Sequence, residues 1–67
     1  MAMLKVIEVL AESKKSWEDA AQVAVATAAK TVRGIRSINV KNLQATVDKG
    51  GKITSYRLNA KISFLLE

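Results

Sequence analysis

Six carboxylates, eleven cationic side chains and a few hydroxyls are the chemistry this 67-residue chain offers, because it has neither histidine nor cysteine. Glu8, Glu12, Glu18, Asp19, Asp48 and Glu67 are scattered, and their settings suit helix capping and strand surfaces. A nucleophile and its base would have to be drawn from Ser, Thr, Lys and these carboxylates, and no such pair is marked out. Nothing has the spacing of a phosphate-binding loop or an EF-hand, and disulfides and imidazole or thiolate metal sites are excluded. The chain reads as a binding protein, not an enzyme.

The net charge is +5, spread from Lys5 to Lys61. A nucleic-acid surface would use Arg36, Lys41, Arg57 and Lys61, with aromatic rings between them to stack on bases. Tyr56 and Phe64 instead alternate onto the apolar side of their strand. A solvated or subunit-contacting polar face is therefore expected ahead of a nucleic-acid surface, which stays the lesser alternative. No apolar run nears the roughly 18 to 20 residues that would span a bilayer. The opening MAMLKVIEVL holds Lys5 and Glu8 within its apolar stretch and is unlike a signal peptide. A cytoplasmic protein with no membrane partner is expected.

The elements that must position these groups are few. Residues 3 to 10, MLKVIEVL, read as a strand. Ser16 reads as an N-cap, Asp19 completes a capping-box pattern, and Gly34 closes a helix over residues 17 to 33. Lys30 and Arg33 would then sit in its last turn. Its apolar stripe is Trp17, Ala21, Ala24, Val25, Ala28 and Val32, with Ala20 and Thr31 at the edge. Residues 35 to 48 read as a second strand whose apolar face switches: Ile38 and Val40 on one side, Leu43, Ala45 and Val47 on the other. Such a strand must bulge, bend or change packing surface. Asp48 to Gly51 is a hairpin turn. The third strand, 52 to 66, puts Tyr56, Leu58, Ala60, Ile62, Phe64 and Leu66 on one face and Ser55, Arg57, Asn59, Lys61 and Ser63 on the other.

The fold class is α+β in the order β-α-β-β, one domain over residues 1 to 67. With strand three in the middle, a three-stranded antiparallel sheet packs on one helix. Arms of roughly 14 residues run about 45 Å, whereas a helix over 17 to 33 is about 25 Å long. One helix cannot cover that hairpin, so part of its apolar surface must meet another chain.

The opening KVIEVL, the helix SWEDAAQVAVATAAKTV, the single long hairpin and the ending SFLLE resemble the dodecin family over residues 3 to 67. The resemblance implies a homododecameric hollow shell that stores flavin between subunits. In the family's flavin binders a tryptophan early in strand two stacks on the flavin ring. Ser37 stands at that position, so the main affinity term is missing. The other positions matching the family's site are Asn42, Gln44, Arg57 and Leu65, and each departs from the flavin pattern. Trp17, in the first helical turn, reads as an anchor of helix to sheet. The chain thus resembles the tryptophan-lacking branch, some members of which are associated with calcium. A small ligand or ion at subunit interfaces is expected, with calcium or an anion at Arg57 as candidates; a flavin store with an altered pocket is the alternative.

Overall fold

The computed structural model describes residues 3 to 66. Its elements are β1 (Met3–Ser13), α1 (Trp17–Ala28), β2 (Ile35–Val47) and β3 (Ile53–Leu66). The sheet order is β1-β3-β2 with both pairings antiparallel, and α1 lies on one face. The helical crossover carries the chain past the width of one strand, and the hairpin then returns β3 into the gap between β1 and β2.

β1 runs three residues beyond the expected end, pairing from Met3 opposite Leu66 to Ser13 opposite Tyr56. Ala11 and Ser13 are buried there, and the Ser13 hydroxyl donates to Asp19 Oδ2 at 2.6 Å. Ser16 caps the helix as expected, its Oγ accepting from the Asp19 backbone N–H at 2.9 Å. The reciprocal half of the capping box is replaced, since the Asp19 carboxylate turns to Ser13.

The helix is shorter than expected. It ends at Ala28, after which the Lys30 and Thr31 N–H groups bond three residues back, to Thr27 and Ala28, in tightened turns. Two β-branched residues, Thr31 and Val32, follow where continued helix would restrict their side chains. Lys30 and Arg33 therefore lie in the α1–β2 loop and not in a last helical turn. Gly34 does adopt a left-handed φ of +74°, but as the entry to β2, where its carbonyl accepts from the Leu65 N–H at 2.9 Å.

The core is small-residue packing on the middle strand. Ala20 and Ala24 meet Leu58, Ala60 and Ile62, with Ala11 beside them, and Ala20, Ala60 and Ile62 have no exposed surface. Ala20, expected at the edge of the helical stripe, is its centre. Trp17 is the expected anchor: its Nε1–H donates to the Gln44 carbonyl at 2.9 Å, and its ring meets Tyr56 edge-on at 4.9 Å.

β2 resolves its face switch by bulging. Its register against β3 slips at Arg36 and again at Lys41, between Val40 and Asn42, and a third shift, between Thr46 and Val47, has its extra residue, Thr54, on β3. Each extra residue shifts the alternation, so Ile35, Ile38, Val40, Leu43 and Ala45 all come to the helix side. The turn closes through Asp48, whose Oδ1 accepts from Gly50 and Lys52 N–H groups, with Gly51 at a φ of +83°.

Twelve helical residues extend about 18 Å, whereas the molecule is 52 Å long. Val47 and Ile53, beside the hairpin turn, lie past the helix and, like Leu43, are more than half exposed. Among the described residues, no helix is long and apolar enough to cross a membrane.

Leu58 is 1 % exposed and is the largest side chain under α1 together with Ile62. Leu58→Ala should lower the unfolding free energy by about 2–5 kcal/mol, read from urea midpoints at one fixed protein concentration.

Candidate ligand-binding face

The face of the sheet away from α1 is lined largely by polar side chains, and cross-strand pairing sets them in rows. Thr46 stands beside Ser55, their hydroxyls 2.6 Å apart. Next come Gln44, Arg57 and Glu12, then Asn42, Asn59 and Leu10. Asn39, Lys61 and Glu8 form a further row, followed by Ser37, Ser63 and Val6. Leu65 lies at the far end, paired with Leu4.

All five positions singled out in the sequence, Ser37, Asn42, Gln44, Arg57 and Leu65, lie on this open face. The bulge at Lys41 is the reason, because without that extra residue Asn42 and Gln44 would turn toward the helix. The structure brings Gln44 and Arg57 together as direct partners, with Asn42 one row away. It does not bring Ser37 or Leu65 to them: Arg57 and Leu65 are separated by eight residues of strand, about 27 Å. One chain thus presents a strip, and a pocket requires a second surface against it.

The electrostatics of the strip centre on Arg57. Its Nε donates to Glu12 Oε1 at 2.5 Å, the one ion pair among the described residues. That hydrogen bond is the main cause holding the Glu12 carboxyl below the usual carboxylate range. Both side chains are substantially exposed, so solvent screens the pair and it adds little to stability. Its consequence is for ligands: the guanidinium already has an anion. Glu12 was not singled out by sequence, and only the cross-strand register identifies it as the partner.

The rings and hydroxyls nearest this face are already engaged within the chain. The Ser37 hydroxyl is paired with Ser63 Oγ at 2.5 Å. Trp17 and Tyr56 pack on each other, and Phe64 shares the helix side with Ile62. Among the described residues the open face therefore has no aromatic ring to stack on isoalloxazine. Nor does one chain form a calcium cage, since no three carboxylates converge among the described residues. Glu8 faces Lys61 and Glu12 is held by Arg57.

Comparison with known proteins places this architecture. The dodecin family model matches residues 3–67. The calcium dodecin of Mycobacterium tuberculosis is 42 % identical over 64 residues, covering 96 % of this chain and 89 % of that protein. A crystal structure of that calcium dodecin, described as having a novel calcium-binding site, superposes with a TM-score of 0.83 at 38 % identity, over 97 % of this chain and 91 % of the other. A variant of the Thermus thermophilus dodecin gives a TM-score of 0.91 at 30 % identity, covering 100 % and 98 %. The likeness therefore extends over the strands, the helix and the face they build, and the chain belongs to the dodecin family.

Proposed function

We propose that this chain is a non-catalytic subunit of a cytoplasmic homododecameric shell. Its open face, with Ser37, Asn42, Gln44, Arg57 and Leu65, holds a small ligand or ion between subunits, calcium being the first candidate and flavin not. The observation that carries this reading is the absence of any ring on the open face among the described residues, with Ser37 closed onto Ser63. The 42 % identity to a calcium dodecin supports the choice of ion.

Assembly is supported by what one chain leaves uncovered. Leu43, Val47 and Ile53 are exposed on the hairpin, and Leu4, Val6 and Leu10 are exposed on the β1 side of the open face. A small core with so much apolar surface in water is stabilised by copies of itself. Closed symmetry lets every copy cover the same surfaces. Because the carboxylates of one chain do not converge, a calcium site in such a shell is built from several chains, with backbone or amide oxygens completing the coordination.

An anion at Arg57 is the weaker alternative, since Glu12 already occupies the guanidinium. A flavin store with an altered pocket is weaker still, because stacking supplies much of the affinity for a flat ring system and no ring is offered.

Three measurements test these points. Native mass spectrometry of the purified protein should find an assembly of about 88 kDa, a dodecamer of the 7.3 kDa chain. It should also carry calcium that a chelator removes with a fall in melting temperature; a stable monomer or dimer rejects the shell. Riboflavin fluorescence should be quenched little at micromolar protein, and Ser37→Trp should increase quenching about tenfold or more by restoring a stacking surface. No gain would show that Ser37 does not face the ligand. For the Arg57–Glu12 pair, the folded-state pKa of Glu12 is depressed, so its contribution is present at neutral pH and lost as pH falls through that depressed value. In Arg57→Gln, NMR titration of the Glu12 carboxyl should show a midpoint moved up toward the ordinary carboxylate value, with less stability lost on acidification.

A further inference from the structure

The positive charge that looks dispersed in the sequence is gathered by the fold along one edge of the sheet. From Ala20 to Val47 the chain has no carboxylate but four cations, Lys30, Arg33, Arg36 and Lys41. Lys30 and Arg33 lie in the loop that leads into β2, and β2 is an edge strand, paired on one side only. Arg36 and Lys41 are the extra residues at its two bulges, where the chain departs from the β3 ladder. All four are exposed. The segment of β3 that faces them, Asn59 to Leu66, also has no carboxylate; its one charge is Lys61, which stands opposite Glu8. By contrast, the charges elsewhere are mixed: Lys14 and Lys15 neighbour Glu12, Glu18 and Asp19, Lys49 neighbours Asp48, and Arg57 is paired.

We propose that the β2 edge and the loop entering it form a binding surface for a phosphodiester chain, recognised through its backbone and without sequence preference. Arg36 and Lys41 are five residues apart, about 17 Å along the strand, and a nucleic-acid strand presents a phosphate every ~3.4 Å of rise. A row of cations on that scale fits a linear polyanion. A membrane surface would be met by a broad plane of charge, whereas these four residues follow one loop and one strand edge. No ring is available on the open face among the described residues, so bases are not stacked and base identity is not read. The surface does not depend on which ligand the open face holds.

The test is fluorescence anisotropy of the assembled protein with a labelled single-stranded oligonucleotide of about 20 nucleotides across a salt series. Three to four neutralised phosphates predict that log K falls against log salt with a slope of about −2 to −3. The triple variant Arg33→Gln/Arg36→Gln/Lys41→Gln should bind at least about tenfold more weakly near 0.1 M salt and flatten that slope by about 2. The matched variant Lys14→Gln/Lys15→Gln/Lys49→Gln removes the same charge elsewhere and should stay within about threefold of the parent. If the bulge substitutions disturb folding, Arg33→Gln alone, in the loop, should still weaken binding about threefold. Equal losses in the two triple variants would overturn the proposal, because net charge and not the edge would then explain binding. So would the absence of salt-dependent binding by the parent, or binding to phosphatidylserine vesicles in preference to the oligonucleotide.

Discussion

Two alanines on the helix and three residues of the middle strand set the position of everything else. Ala20 and Ala24 bring the backbone of α1 close onto Leu58, Ala60 and Ile62, and no large side chain there could shift the helix along the sheet without opening a gap. Because β3 is central, that single contact orients both flanking strands. The helix has only twelve residues, so the same contact decides what stays bare. Left bare are Leu43, Val47 and Ile53 on the hairpin, and behind the sheet lies the whole open face. A monomer cannot improve on this, since lengthening the cover would need helix that the chain does not have.

The bulges in β2 solve a second problem created by that arrangement. A strand that passes from under the helix to beyond it must keep one apolar series on one side for thirteen residues. The residues of β2 do not alternate regularly enough to do so. Inserting Arg36 and Lys41 as extra residues brings Ile38, Val40, Leu43 and Ala45 into line, and in the same step lines up Ser37, Asn39, Asn42 and Gln44 on the other side. The ligand-facing strip and the apolar side are thus consequences of one pair of register shifts.

Much of this was legible in the residues. The alternation of β3 set both of its faces, the β-α-β-β order led to the antiparallel arrangement with β3 central, and the irregular pattern of β2 required a bulge or bend. What was not legible depended on contacts distant in sequence or on balances within a turn. The helix end is one: Lys30 to Arg33 continue the helical pattern, yet the backbone tightens after Ala28 and Gly34 serves the strand that follows. Glu12 is another, because its pairing with Arg57 crosses 45 residues and is defined only by the register of β1 on β3. The candidate site came from the family resemblance and not from spacing. Its five positions share a face in one chain without meeting, so the geometry that would join them belongs to no single sequence segment.

The two edges of the sheet are unlike, and the difference follows from charge and regularity. An edge strand presents unpaired N–H and C=O groups to any other strand, and bulges and cations are the usual means of keeping such partners away. β2 has both, with a cation at each bulge. β1 has no bulge and a single cation, Lys5: its eleven residues keep register with β3 without a shift, and Leu4, Val6 and Leu10 stand exposed along it. An incoming strand would meet broken spacing and unpaired positive charge on β2, but a regular and largely apolar track on β1. Blunting one edge removes half of the ways in which copies of the sheet could join by mistake. It also leaves the β2 cations in solvent within a single chain, where phosphate can reach them.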